Sequence, residues 1–129
     1  MFLGLRTVIY PAPDLAASKA WFTELLGFGP YFDEPFYVGF EVGGYELALH
    51  PGMDPAEGAL AYWGVPDCAA AVERLVAAGA TLHEEVRDVG AGIRTATIVE
   101  PGGSFLGVIE NPNFALAASP PDVGPGPGR

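Results

Sequence analysis

Short runs of apolar and β-branched residues, several of them alternating with polar residues, predict eight β-strands in this chain. Two longer runs carry apolar residues at helical spacing and predict α-helices over residues 15–26 and 68–78. Each helix follows one strand and precedes three, an order typical of an α+β fold with helices on one face of each sheet. The predicted strands cover residues 2–10, 31–34, 36–42 and 45–50 in the first half and 60–65, 81–86, 93–99 and 105–109 in the second.

The two predicted helices open with nearly the same sequence, Pro-Asp-Leu-Ala-Ala at residues 13–17 and Pro-Asp-Cys-Ala-Ala at residues 66–70. In both, the aspartate is a favoured N-cap residue and a glycine follows the helix end. A repeat of this size indicates a duplicated supersecondary unit. We therefore expect one domain over residues 1–112, with modules 1–50 and 59–112, a linker at 51–58, and a flexible Pro- and Gly-rich tail at 113–129.

Composition narrows the classes of function. The chain has 16 Asp and Glu against 6 Lys and Arg, and its net charge of −10 disfavours nucleic acid as a partner. No apolar run reaches the length of about 20 residues that a membrane span needs, and the N-terminal residues lack a signal-peptide pattern, so we expect a cytoplasmic protein. The single cysteine, Cys68, excludes an internal disulfide and a thiolate metal cluster. It lies near a predicted helix N-terminus, and we expect a structural or incidental role for it.

The motifs together resemble the vicinal oxygen chelate superfamily, which includes glyoxalase I, extradiol dioxygenases and bleomycin-resistance proteins. The resemblance rests on the two Pro-Asp helix openings, on the sequence Ala-Ala-Gly-Ala at 77–80, and on the turn Glu-Pro-Gly-Gly at 100–103 before the last predicted strand. It implies two βαβββ modules that form a cupped, mostly antiparallel mixed sheet with helices on the outer face. In catalytic members of the family, the cup holds a divalent metal ion that polarises the substrate.

The resemblance also locates the four positions that hold metal ligands in catalytic relatives. The first and third lie seven residues before each helix-capping aspartate, the second lies on the last strand of module one, and the fourth follows the late glycine turn. Three of the four residues have no ligating side-chain atom and the remaining one, a threonine, is a poor ligand. We therefore expect no metal and no cofactor at these positions, which are Thr7, Ala48, Leu60 and Gly107.

Two interpretations of the neighbouring polar residues remain open. Glu46 and His50 share a strand face with Ala48, so the pair is a candidate for a displaced metal site in a lyase, isomerase or dioxygenase. Alternatively, His50 is a rim residue at a strand end and Glu46 is exposed or hydrogen-bonded.

Strand alternation predicts which residues face the cup. We expect a metal-free protein that binds a small organic ligand there, through Thr7, Glu46, Ala48, His50, Leu60, Tyr62, Phe105 and Gly107, with Ile9 and Ile109 also on the cup face. A cup filled by its own side chains, in a dimeric interaction module, is the other interpretation; in either case a homodimer is expected. Helical spacing further predicts that Trp21, Phe22 and Leu25 belong to the core.

Overall fold

The computed structural model describes residues 1–115, and its helices and strands follow the order that the sequence predicts. A short 3-10 turn at Pro55–Glu57 lies within the predicted linker. The elements are β1 (Gly4–Pro11), α1 (Leu15–Leu26), β2 (Phe32–Glu34), β3 (Tyr37–Val42), β4 (Tyr45–His50), β5 (Leu60–Gly64), α2 (Cys68–Ala77), β6 (Thr81–Gly90), β7 (Ile93–Val99) and β8 (Phe105–Glu110).

The repeated Pro-Asp motif starts both helices in the same way. The Asp14 carboxylate accepts a hydrogen bond from the Ala17 N–H at 3.0 Å, and the Asp67 carboxylate accepts one from the Ala70 N–H at 3.0 Å. Each bond satisfies one of the free N–H groups of a first helical turn. At the other end of α1, Gly27 adopts a left-handed conformation with φ 83°, which glycine reaches without steric cost.

The eight strands form one mixed sheet in the order β2-β3-β4-β1-β5-β8-β7-β6. Within each module the first and last strands pair in parallel, as β1 with β4 and β5 with β8, while the other pairs are antiparallel. The two modules join through the antiparallel pair β1–β5. The predicted α+β class is therefore confirmed. The first strands of the two modules, β1 and β5, lie side by side at the centre of the sheet.

The helices cover one face of the sheet and form two apolar cores. Under α1, the buried residues are Ala12, Val38, Phe40 and Leu49, and under α2 they are Val65, Cys68, Ala71, Ala96 and Val108. Cys68 therefore has the structural role that the sequence suggested. Residues that alternate with these along the strands point to the opposite face.

The prediction that Trp21 and Leu25 are core residues is wrong, because they are 60% and 62% exposed. Phe22 does pack against the core, with its ring centroid 6.3 Å from that of Phe40. At 100° per residue, Trp21 lies roughly 120° and Leu25 roughly 80° around the helix from the midline of Phe22 and Leu26. The predicted helical period is correct, but the face of α1 that contacts the sheet is too narrow to include Trp21 and Leu25.

β6 continues to Gly90 rather than ending near residue 86. It is an edge strand whose pairing with β7 shifts register three times, and nearly all of its residues are exposed, so no apolar alternation marks its length. No helix within residues 1–115 is long and apolar enough to cross a membrane. Most of the predicted tail, at 116–129, lies outside the described residues.

Candidate functional site

A cavity of about 760 Å³ lies on the sheet face opposite the helices, and both modules line it. The cup is therefore open rather than filled by its own side chains. Of the eight residues predicted to bind a ligand, six line the cavity and two, Ala48 and Gly107, do not. Those six are Thr7, Glu46, His50, Leu60, Tyr62 and Phe105, and Ile9 and Ile109 line the cavity with them.

The carboxylate of Glu46 accepts hydrogen bonds from three hydroxyl groups. Its Oε1 accepts from Thr7 at 3.1 Å and from Tyr37 at 2.7 Å, and its Oε2 accepts from the Tyr31 hydroxyl. The positions follow from pairing, because Thr7 on β1 is the register partner of Glu46 on β4, and Gly39 leaves room for the carboxylate. A Cβ at Gly39 would lie 2.6 Å from Glu46 Oε2. Glu46 is thus hydrogen-bonded, one of the two roles that the sequence allowed.

The two tyrosines of this cluster hold their protons firmly. Burial raises the pKa of Tyr37 well above its usual range, and the negative charge of Glu46 and the hydrogen bond to it raise that pKa further. The same causes raise the pKa of Tyr31. Both hydroxyls therefore remain donors to Glu46 at any physiological pH.

His50, at the end of β4, lines the cavity. Its Nδ1 accepts a hydrogen bond from the Gly52 backbone N–H at 2.9 Å, which places the proton of the neutral imidazole on Nε2. Tyr37 packs edge-to-face against the ring at 6.4 Å. Within residues 1–115, Nε2 makes no hydrogen bond to the protein, so it is a donor available to a ligand.

The residues at the family's metal positions do not fit a divalent ion. Ala48 is fully buried in the sheet, and the Thr7 hydroxyl is used by Glu46. The ring of Tyr62 lies over Gly107, 2.5 Å from where a Cβ would stand. Among residues 1–115, no three His, Cys, Asp or Glu side chains gather as a metal-binding group.

The side chains of the alternative metal site, Glu46 and His50, do not fit a divalent ion either. Glu46 already accepts three hydroxyl donors, and the His50 nitrogen that is left without a partner among residues 1–115, Nε2, carries a proton in the neutral ring. A metal ligand needs a free lone pair at that nitrogen.

Sequence alternation missed Arg6, which lines the cavity next to Thr7. In the pairing of β1 with β5, Leu5 pairs with Trp63 and Thr7 pairs with Tyr62, so Arg6 is the extra residue of a β-bulge. The bulge turns Arg6 to the same face as Thr7. Its guanidinium stacks on the ring of Phe114, with 3.7 Å between the guanidinium carbon and the ring centroid.

The second module contributes a polar wall to the cavity. Burial raises the pKa of Tyr62 to about 12, with nearby Glu84 raising it and Arg87 opposing. Arg87 pairs with Glu84 at 2.9 Å on the exposed edge strand β6. Thr97 on β7 is only 2% exposed, and its hydroxyl is a buried polar group without a hydrogen-bond partner among the described residues. Such a group is uncommon in folded proteins, and leaving it unpaired costs free energy.

Comparison with known proteins agrees with this architecture. A methylmalonyl-CoA epimerase from Streptomyces coelicolor superposes with a TM-score of 0.71 at 15% identity, covering 87% of this chain and 99% of that chain. A glyoxalase/bleomycin resistance protein/dioxygenase superfamily member from Vibrio splendidus 12B01 superposes with a TM-score of 0.65 at 19% identity, covering 82% of this chain and 97% of that one. These identities are low, so the likeness concerns the fold.

A Mn(II)-bound glyoxalase from Novosphingobium aromaticivorans also superposes, with a TM-score of 0.68 at 18% identity, covering 92% of this chain but 42% of that one. No curated protein sequence matches the chain significantly. The model of one family, however, matches residues 4–108, which is most of the chain. The chain therefore belongs to the Glyoxalase/Bleomycin resistance protein/Dioxygenase superfamily.

Proposed function

We propose that this protein binds a small organic molecule in the cavity between its modules, without a bound metal ion. The observation that carries the proposal is the Glu46 cluster, a carboxylate fixed by three hydroxyl donors on the wall of an open cavity of about 760 Å³. Cavities of about 300–1,000 Å³ with a few fixed polar groups are typical of small-molecule sites.

Aromatic side chains around the cavity indicate that the ligand has a planar apolar part. Phe32 packs edge-to-face against Phe36 at 6.1 Å and against Tyr37 at 6.0 Å. Phe36 is 63% exposed. Exposed aromatic rings grouped on one concave surface are costly to leave in water, and they offer faces and edges to an aromatic ligand.

The metal-free part of the proposal rests on side-chain chemistry. Three of the four family ligand positions lack a donor atom, and the fourth, Thr7, donates its hydroxyl proton to Glu46. A structural neighbour, the epimerase from Streptomyces coelicolor, is a complex with 2-nitronate-propionyl-CoA. A fold of this kind thus accommodates an organic ligand, which supports the first part of the proposal.

A neutral aromatic probe, 2-naphthol, tests the site by calorimetric titration. We expect Phe36→Ser to weaken binding at least about fivefold, since the ring is a wall of the cavity. Trp21→Ser is the matched control, because Trp21 is equally exposed but lies on α1 outside the cavity. Equal binding by the wild type and Phe36→Ser, or weakening by Trp21→Ser alone, would contradict the proposed site.

Metal analysis tests the second part. Protein purified without chelators should contain well under one equivalent of Ni, Zn, Mn or Fe, and its affinity for 2-naphthol should not change with EDTA. A stoichiometric metal that EDTA removes together with binding would refute the metal-free proposal.

We also propose that the protein is a cytoplasmic homodimer. Support for the dimer comes from β6, an exposed edge strand of 10 residues whose free backbone groups offer a pairing surface. Support for the compartment comes from Cys68, a buried free thiol in a chain with no second cysteine. Light scattering that found a monomer at micromolar concentration would refute the dimer.

A further inference from the structure

We propose that the ligand of this cavity carries an acidic group, a carboxylate or a phosphate, which binds to the guanidinium of Arg6 with Arg87 flanking it. The inference rests on the proposed function, because it assigns a chemical class to the ligand of the same cavity. It comes from the placement of positive charge, which is scarce in this chain. Only 6 Lys and Arg stand against 16 Asp and Glu, yet two of the arginines line one cavity.

Arg6 is held in place without a carboxylate partner. Within residues 1–115 the ion pairs are Lys19–Asp33 and Arg87–Glu84, and neither includes Arg6. One N–H of Arg6 donates to the Leu5 carbonyl at 3.2 Å, which leaves four of its five donors without a protein acceptor in the described part of the chain. A cation in this state, on a concave surface, favours an anionic ligand.

The surroundings of Arg6 fix the orientation of its guanidinium. The group stacks on the Phe114 ring and its side chain crosses Gly64, whose missing Cβ would lie 2.6 Å from the Arg6 Nε. Stacking leaves the edges of a guanidinium free, and these edges carry the paired N–H groups that match a carboxylate or phosphate. The bulge in β1, the glycine in β5 and the aromatic ring thus act together on one side chain.

Strand register places Arg87 in the same row across the sheet as Gly64, over which the Arg6 side chain lies. Gly64, beneath Arg6, pairs with Ile109 on β8, Ile109 pairs with Thr95 on β7, and Thr95 pairs with Arg87 on β6. Three strand spacings separate the ends of the row, about 14 Å between backbones, and both arginine side chains can reach inward from them. Ile109 and Thr95 line the cavity between the two cations. The row therefore places an apolar side chain, Ile109, and a hydroxyl, that of Thr95, between guanidinium groups at its two ends.

The acidic residues of the cavity do not cancel this arrangement. Four glutamates line the cavity, and within residues 1–115 none of them forms an ion pair with Arg6. Glu46 accepts three hydroxyl donors, Glu41 accepts the Gly44 N–H, and Glu84 is paired with Arg87. Glu57 lies in the 3-10 turn at Pro55–Glu57. Thr97, next to Thr95 on the cavity side of β7, adds a buried hydroxyl without a partner. The second module thus contributes both a hydroxyl and a guanidinium to the cavity.

Three naphthalene probes of equal shape test the inference by calorimetric titration at low salt. They are naphthalene-2-carboxylate, its neutral carboxamide, and the cation naphthalen-2-ylmethylammonium. We expect the carboxylate to bind about tenfold more tightly than the carboxamide, and the ammonium to bind more weakly than both. Comparing the affinity of 2-naphthyl phosphate with that of the carboxylate shows which acidic group the Arg6 guanidinium prefers.

Variants assign the preference to Arg6. Arg6→Gln should reduce the advantage of the carboxylate over the carboxamide to under about twofold, while Arg87→Gln should reduce that advantage in part. Gly64→Ala should act like Arg6→Gln without any change of charge, since the new Cβ displaces the Arg6 side chain. Arg74→Gln, in the last turn of α2, is the control of equal charge and should change nothing.

The outcomes separate this inference from the proposed function. If no naphthalene probe binds, the proposed site itself fails. If the carboxamide and the ammonium bind and the carboxylate has no advantage, or if Arg74→Gln removes that advantage as fully as Arg6→Gln, the site stands and the acidic ligand is refuted.

Discussion

Replacing Glu46 with leucine removes the acceptor that three hydroxyl groups share. In the Glu46→Leu variant, Thr7 and Tyr37 lose the partner of their O–H groups inside the protein, while Tyr31, 64% exposed, turns to water. A buried hydroxyl without a partner destabilises a fold by about 1–3 kcal/mol. The perturbation therefore tests whether the carboxylate stabilises the sheet at the wall of the cavity.

The expected magnitude follows from burial. Thr7 is 7% exposed and has little access to water, so its orphaned hydroxyl should cost about 2 kcal/mol. Half-buried Tyr37 should cost about 1 kcal/mol and Tyr31 almost nothing. The free energy of unfolding should thus fall by about 3 kcal/mol, equivalent to roughly 10 °C in Tm for a domain of this size.

Urea denaturation followed by circular dichroism measures the loss. Glu24→Leu, which removes an exposed carboxylate from α1, should stay within about 0.5 kcal/mol of the wild type. Adding Thr7→Val to Glu46→Leu should recover about 1–2 kcal/mol, because the orphaned hydroxyl is gone. If Thr7→Val instead adds its own loss to that of Glu46→Leu, the two residues are not coupled and the reasoning fails.

Three further predictions concern other buried polar groups. Thr97→Val removes a hydroxyl that has no partner and should stabilise the fold by about 1 kcal/mol in urea denaturation, whereas Thr95→Val should not; a loss of stability in Thr97→Val would contradict this. Burial raises the pKa of Tyr62 to about 12 and that of Tyr37 beyond it, so their stabilising effect is complete below the unfolded value of about 10 and is lost as the pH rises above it. Tyrosinate absorbance should therefore develop at higher pH in the native protein than in urea, and coincident curves would refute the shift. Burial raises the pKa of the Cys68 thiol to about 11, so at pH 8 Ellman's reagent should react at least about 100-fold more slowly with folded than with unfolded protein, and similar rates would show an accessible thiolate.

Much of the fold was predictable because the signals that set it are local. Asp14 and Asp67 cap their own helices through the N–H group three residues ahead, and no distant residue is needed. Apolar alternation along each strand likewise identified Thr7 and Tyr62 as cavity residues, since alternation holds wherever a strand is regular. The prediction for Trp21 failed because the width of the contact between α1 and the sheet is not a local property.

The candidate site shows the same division. The family resemblance implies metal-ligand positions at Thr7, Ala48, Leu60 and Gly107, and the lack of a ligand set there stays a prediction from the sequence. The place of Arg6 in the cavity could not be predicted, because strict alternation assigns its side chain to the helix face. Only the pairing of β1 with β5 reveals the bulge that turns the side chain to the cavity face.

The sequence by itself thus determined the two modules and the helix caps, both of which depend on residue identity and short-range spacing. Only the tertiary structure decided that Tyr31 and Tyr37 reach one carboxylate and that Arg6 enters the cavity. These facts depend on strand register and on the packing of side chains from distant segments, which a one-dimensional pattern does not contain.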